Sequence, residues 1–559
     1  MSSLKVFCVN DARYIDICGG ETLSDILSRL PSELGFNPIC AKVNNKTESL
    51  SFAVYSPKMV EYIRPESHEG QRVYIRTLCM LLYRAVELRF PGTRLRMEHS
   101  VAGGNYCRLF GRDGEVYVPS AEEVSELHSL MRGLAERDLP ILTKERLTKD
   151  ALEIFRRQGL DSKVMLLEGL HNLYTTFNEL DGLADSYYGP LAPSTGHISV
   201  FGLEPYKEGM LLLGPDLQDL SRPATPKTQD KMYAAFTDYL RFNRVIKVSD
   251  VGELNRAVRE KETARLINVA EAMHDKLLGR ISDEIMRRRH EGGAKIVLIA
   301  GPSSSGKTTS TKRLAIQLMT NLMTPKMISL DDYFVNRDRT PRDEDGELDY
   351  ESLYALDLER LNSDMSRLLA GEEINLPTYS FEFGRRIEKD RPLRLDADDV
   401  LLIEGIHGLN PDLLPQLDPK DVFKVYVSAL TTLGIDDHNW MSTTDTRLLR
   451  RIVRDYKYRH TSALDTIRRW PSVRRGEQKW IFPFQENADA MFNSSLIFEI
   501  AVMKEYAEPL LQEVPHDAPE YTEAYRLLRL LSYFHAVRAD QVPTTSLLRE
   551  FLGGSSFKY

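Results

Sequence analysis

Residues Gly301-Pro302-Ser303-Ser304-Ser305-Gly306-Lys307-Thr308 match the pattern G-x-x-x-x-G-K-[ST] at every position. The pattern works only where a strand runs into the loop and a helix leaves it. Both flanks comply. Lys295–Ala300 is a short apolar run of strand type, and Thr309–Leu322 carries Leu314, Ile316 and Leu318 at helical spacing. The glycines let backbone N–H groups turn inward around phosphate oxygens, and the helix N-terminus adds its positive end. Lys307 is placed to reach the β- and γ-phosphates of a nucleoside triphosphate, and the Thr308 hydroxyl to hold Mg²⁺. The expected contact set is Gly301, Ser303, Ser304, Ser305, Gly306, Lys307, Thr308 and Thr309. A chance Gly/Ser turn bearing a surface lysine is the competing reading, and the full pattern in its setting disfavours it.

With 559 residues the chain is expected to divide into three or four domains. A hydrophobic share of 42% and a charged share of 28% are those of an ordinary globular protein. The formal charge of −9 argues against whole-surface attraction to nucleic acid and leaves local basic patches open. Cys8, Cys18, Cys40, Cys79 and Cys107 all fall in the first fifth, with no C-x-x-C pair, so reduced thiols are expected rather than a disulfide framework. No secretory core opens the chain, and no stretch approaches the roughly 18 apolar residues that span a bilayer. The expected location is cytoplasmic, without membrane partners, and a homo-oligomer is the expected assembly.

Residues 1–66 read as a small α+β unit. Leu4–Val9 and Ile39–Val43 are strand-like, and Thr22 caps a short helix reaching Leu30. This order, with the turn Val43-Asn44-Asn45-Lys46, resembles the TGS domain of threonyl-tRNA synthetases. Residues 67–220 contain an amphipathic helix from Arg76 to Gly92, then Gly103-Gly104-Asn105-Tyr106, then Asp185-Ser186-Tyr187-Tyr188-Gly189-Pro190-Leu191. This series resembles the second, editing-type domain of the same synthetases. That family carries H-x-x-x-H and D-L-C-x-G-P-H, and its four metal positions would fall on Arg76, Met80, Tyr187 and Leu191. None has the residue type of the family's zinc site, so no zinc is expected. His99, His171 and His197 are read as ordinary polar residues. Residues 221–292 are read as a linker around Ser221–Pro226 and a long connector helix from Leu254 to His290, with a solvated basic end at Arg287-Arg288-Arg289.

Residues 293–510 alternate strand and helix. Strand candidates are Lys295–Ala300, Pro325–Leu330, Val400–Ile403, Val422–Val427 and Leu496–Val502, the pattern of a parallel sheet with helices on both faces. Residues 511–559 read as a helical tail, Tyr521–His535, with a frayed Gly/Ser-rich end. The predicted fold class is an α/β P-loop kinase domain behind N-terminal α+β TGS-like and editing-like domains.

Phosphoryl transfer is mostly positioning and charge neutralisation. Asp331 and Asp332 follow the second strand, where strand C-termini line a ligand crevice. A carboxylate there can take the proton of an attacking hydroxyl; helix-capping acids are the plainer alternative. Glu404 ends the third strand and suits metal coordination. Arg447, Arg450, Arg451 and Arg454 lie within Asp445–Asp455 at spacing that gathers several guanidiniums on one helix side.

With Leu330-Asp331-Asp332-Tyr333, Tyr379-Ser380-Phe381, Leu402-Ile403-Glu404-Gly405 and the D-x-R-L-x-R-R-x-x-R-D run of Asp445–Asp455, residues 294–504 resemble the uridine kinase and phosphoribulokinase family. The resemblance implies an ATP- and Mg²⁺-dependent kinase. Asp331 would be the catalytic base, Asp349 would hold ribose hydroxyls, and Tyr379 and Phe381 would border the base. Lys307, Arg447, Arg450 and Arg454 would serve the phosphates, Arg386 the acceptor, and Thr308 and Glu404 the metal. Where uridine-cytidine kinases place a base-recognising histidine, this chain has Gly384. An insertion, Leu430–Thr443, precedes the arginine run. It reads as a surface loop, with His438 and Trp440 as alternative substrate contacts. The expected activity is transfer of the ATP γ-phosphate to a small hydroxyl acceptor, foremost a nucleoside. A sugar phosphate is the second acceptor class, drawn by Arg385, Arg386 and Arg391. A nucleotide-switched protein contacting RNA or ribosome through the N-terminal half is the alternative of a different kind.

Overall fold

The computed structural model describes residues 4–30, 34–380, 382–387 and 389–558. Phe381, read above as a pocket residue, lies outside them. Near the N-terminus Leu4–Cys8 pairs antiparallel with Arg13–Ile17 and parallel with Lys58–Ile63, which continues to Cys40–Val43 and Lys46–Ser49. Thr22 caps the helix Leu23–Leu27 and exchanges hydrogen bonds with Asp25, as its position in the sequence predicts.

Helix α1 (His68–Arg89) begins eight residues before the predicted Arg76, because Ser67 caps it. Its buried face, from Val73 to Val86, shares one apolar core with two antiparallel sheets. The first half of the linker expected at Ser221–Pro226 is the second arm of a hairpin, Asp219–Pro223 against Pro215–Asp216, and residues 224–229 after it carry no helix or strand. The long connector breaks into Val251–Arg259 and α2 (Thr263–His290), with Lys261 in the left-handed region at φ 61°. The basic end of α2 behaves as read: Arg287 pairs with Glu284 and Glu291, and Arg288 with Glu284 and Asp489.

The C-terminal half is built on five parallel strands: β1 (Ile296–Ala300), β2 (Thr324–Ser329), β3 (Asp399–Glu404), β4 (Val422–Ser428) and β5 (Ala490–Asn493), in the order β2-β3-β1-β4-β5. β1 is buried along its whole length, as a strand covered by helices on both faces must be. Helix α3 (Lys307–Thr320) leaves the phosphate loop and lies against α2, where Arg313 pairs with Glu271 at 3.0 Å and Asp275 at 2.8 Å. Leu496–Val502, predicted as the last strand, is a loop leading into the helix Glu499–Gln512. An apolar run this short has no periodicity to separate a buried helix from a buried strand, and β5 lies just before it. Among the described residues no helix is long and apolar enough to cross a membrane.

One expectation about a loop is overturned. The insertion Leu430–Thr443 is not a surface loop. Asp436, Asp437, His438 and Asn439 are buried against the N-terminal half, at Ser162, Lys163 and Asp185. Lys163 Nζ lies 2.9 Å from both Asp185 and Asp436, and His438 Nδ1 lies 2.8 Å from Asp185 Oδ2. Ser162 donates to Asp437 at 2.9 Å, and the His438 ring packs on Tyr83 with centroids 4.3 Å apart. His438 therefore serves packing between the two halves, not substrate. The tail is more than its helix: α5 (Tyr521–Ser532) ends at Ser532, and Leu547, Leu548, Phe551 and Leu552 beyond it are buried in the core that contains α2 and β4, ahead of the Gly/Ser-rich end.

Burial disfavours the His438 imidazolium, but the Asp185 carboxylate outweighs it and holds the histidine pKa above its ordinary value. A raised folded-state pKa gives stability that is full below the unfolded value of about 6.5 and is lost as pH rises through the folded one. The melting temperature is therefore expected to fall as pH rises above about 6.5, and His438→Gln to flatten that slope. A wild-type melting temperature that climbs over this range would contradict the assignment.

Candidate active site

The sheet delivers three of the expected groups to one place, because β1, β2 and β3 end side by side. β1 runs into the phosphate loop, whose Ser304 and Gly306 take φ of 58° and 85°. These left-handed residues turn the loop so that Gly306 leads directly into α3. Lys307 folds back onto the Pro302 carbonyl at 3.1 Å. Burial lowers its pKa, while Glu404 and Asp331 pull it back up.

Glu404, at the end of β3, accepts from the Thr308 hydroxyl at 3.1 Å and from the Ser329 hydroxyl, at the end of β2, at 3.2 Å. Burial, and then the charge of Asp331, push its carboxyl up to about 7. A carboxylate and two hydroxyls converging where negative charge is uncomfortable form a hard-oxygen set that fits Mg²⁺. Thr308 and Glu404 would hold it.

Asp331 and Asp332 are adjacent but differently committed. Asp332 accepts from Arg391 at 2.8 Å and from the Tyr379 backbone at 3.4 Å. Asp331 remains open to solvent in the crevice. The protein around it raises its carboxyl pKa, with Lys307 and Arg459 opposing that rise. Asp349 accepts from the Glu351 backbone at 3.0 Å. Glu351 was not singled out in the sequence, yet it feels Arg451, Lys307 and Arg447, and its Oε2 is buried without a hydrogen bond. Tyr379 packs on Phe334 at 5.6 Å, and Arg386 pairs with Asp357 at 2.8 Å. At Gly384 a Cβ would come within 2.5 Å of Arg337 Nε, so the guanidinium occupies the space a side chain would need.

The arginine-rich run forms α4 (Thr443–Arg459), capped by Ser442. It does not present all its arginines to the crevice. Arg447 and Arg450 are 1% and 0% exposed. Arg447 pairs with Glu477 and donates to the Ser303 carbonyl at 2.9 Å. Arg450 pairs with Glu499 and donates to the Ser305 carbonyl at 3.3 Å. Arg451 donates to the Ser303 hydroxyl at 2.9 Å, while Arg451, Arg454 and Arg459 gather around one carboxylate, Asp455. Arg454 and Arg459 both act on Asp331 and oppose the rise in its pKa.

Sequence reasoning missed Glu550. Its Oε2 accepts from the Thr309 backbone at 3.2 Å and the Thr309 hydroxyl at 2.6 Å, and Leu547 packs against Gly306. No motif marks it; only the fold brings a residue 241 positions downstream to the loop.

The four positions of the editing-type metal site do meet in space. The Tyr187 hydroxyl donates to Met80 Sδ at 3.8 Å, and Arg76 lies over the Tyr188 ring at 5.5 Å. His99 is elsewhere, stacked on Phe236 at 3.5 Å, and burial drops its pKa to about 3.

Residues 296–500 match the family model described as Phosphoribulokinase / Uridine kinase family. Among curated proteins, a uridine kinase of Macrococcus caseolyticus is 31% identical over 35% of this chain and 85% of its own length. A uridine kinase of Brevibacillus brevis is 29% identical over 36% and 85% respectively. The N-terminal part is similar to a threonine–tRNA ligase of Rubrobacter xylanophilus, 26% identical over 35% of this chain; only 29% of that ligase is spanned. The phosphate loop, the crevice acids and this likeness lead to one conclusion: the chain belongs to the phosphoribulokinase/uridine kinase family and is an ATP-dependent kinase.

Proposed function

We propose that the protein transfers the ATP γ-phosphate to a hydroxyl of a nucleoside-class acceptor. The carrying observation is the division of labour between neighbouring acids: Asp332 is held by Arg391, while Asp331 is open in the crevice within the field of Lys307. A raised carboxyl pKa at Asp331 suits a group that accepts the acceptor hydroxyl's proton. Lys307 places its charge on the phosphates. Arg451, Arg454 and Arg459 are the arginines best placed to offset charge that develops during transfer. Arg447 and Arg450 hold the loop in shape from behind. Mg²⁺, when bound, would neutralise phosphate charge beside Thr308 and Glu404. Asp349 and Tyr379 would border the acceptor, and the uridine kinase relatives support a nucleoside there. Arg337, seated where the uridine-cytidine pattern has a histidine, favours a second reading in which the acceptor carries an anion, such as a sugar phosphate. The N-terminal half is read as a TGS-like and editing-like scaffold without zinc chemistry.

A panel of nucleosides and sugar phosphates with Mg·ATP, scored for ADP release and phosphorylated product, tests the reading. Turnover by a nucleoside supports it, turnover only by sugar phosphates supports the second reading, and turnover by neither rejects both. Asp331→Asn is expected to keep ATP binding and lose roughly 10²–10⁴ in rate; near wild-type turnover would move the base elsewhere. Glu550 occupies donors that an arriving phosphate needs. Glu550→Gln is therefore expected to tighten ATP binding about tenfold, the worth of one charge-assisted hydrogen bond. Unchanged or weaker binding by calorimetry would show that the carboxylate does not compete.

A further inference from the structure

Outside the phosphate loop, three parts of the chain converge on a pocket. Arg72 and Arg76 reach it from α1, Tyr188 from the turn that follows Asp185, and Thr522, Arg526 and Arg529 from α5. We propose that this junction binds the phosphate group of a small molecule, either free phosphate or a phosphate monoester.

Arg76 carries the argument. It is 7% exposed, and its Nε has no hydrogen-bond partner. Among the described residues no carboxylate lies within ion-pair distance of it. It lies over the Tyr188 ring, 5.5 Å away. Burial lowers its pKa to about 10, and Arg72 and Arg526 add repulsion. An arginine does not shed its proton in a protein, so the site holds a buried, uncompensated cation. A folded chain tolerates this where an anion completes the set.

The surroundings point the same way. Arg72 and Arg526 share Glu523, at 2.7 Å from Arg72, and Arg526 also holds Asp445, with a 2.9 Å hydrogen bond. Glu69 is the acid on the pocket wall itself. Glu48 lies in the field of Arg529, and none of these acids is in ion-pair contact with Arg76. Arg72 is also the main cause of a lowered pKa at His68. The guanidinium lies close against the Gly189 backbone, where a Cβ would come within 1.8 Å of Arg76 Nη1. Planar, fork-shaped donors are the natural match for phosphate oxygens. The pocket also touches the catalytic half. Asp445, the partner of Arg526, sits in the first turn of α4, two residues before Arg447.

The test uses the full chain with Lys307→Ala, which silences the phosphate loop. Calorimetric titrations with inorganic phosphate and with phenyl phosphate are each expected to show one saturable site, and the tighter of the two identifies the source. Adding Arg76→Met or Arg529→Met should weaken binding at least about tenfold, the loss of one charge-assisted contact. Arg76→Met should also melt higher than its parent in phosphate-free buffer, because it removes an unpaired charge. Should Arg76→Met fail to fold, Arg529→Met decides by the same titration. Absence of saturable binding, or equal affinity in parent and folded variants, would overturn the proposal.

Discussion

Two buried ion pairs set the catalytic half in place. Arg447 with Glu477 and Arg450 with Glu499 are removed from solvent, and each arginine also donates to carbonyls of the phosphate loop. Such pairs give little net stability against an apolar alternative. Removing one partner, however, leaves a stranded charge and costs about 3–5 kcal/mol. Their value here is geometric. They tie α4, the helix after it and the helix after β5 to the Ser303–Ser305 backbone. The loop's curvature is therefore enforced from outside as well as by its own left-handed residues. Arg451, Arg454 and Arg459, on the same helix, are left to face the crevice.

The same helix is tied to the N-terminal half. The insertion that precedes it places Asp436 and His438 against Lys163 and Asp185, with Tyr83 beneath. The N-terminal part, which is similar to a threonine–tRNA ligase, thus packs directly on the insertion of the kinase half. The hydrophobic cores run on across this join: Ala300 and Tyr426 pack in one cluster with Tyr106, Leu211 and Phe236.

Local patterns carried the reading where chemistry is local. The Gly301–Thr308 loop, Asp331 after β2 and Glu404 after β3 were legible because a parallel sheet brings strand ends together whatever lies between them. Residues 496–502 were misread because their apolar run is too short to show a period, and Lys261 breaks the connector helix where no proline or glycine warns of it. Glu550, Arg459, Glu351 and Arg337 owe their places to long-range packing. An isolated acid or arginine in sequence carries no sign of what it will meet. The insertion was misjudged for the same reason: its polar residues read as solvated, and their partners, Lys163 and Asp185, lie well over 200 positions away.

Leu547 and Glu550 close over a loop that was synthesised some 241 residues earlier. A chain cut short before residue 550 keeps the loop, the crevice acids and the arginine helix but lacks the Glu550 contacts to Thr309. Fusions or deletions near residue 550 therefore bear on the nucleotide site without touching any residue of the phosphate-loop motif.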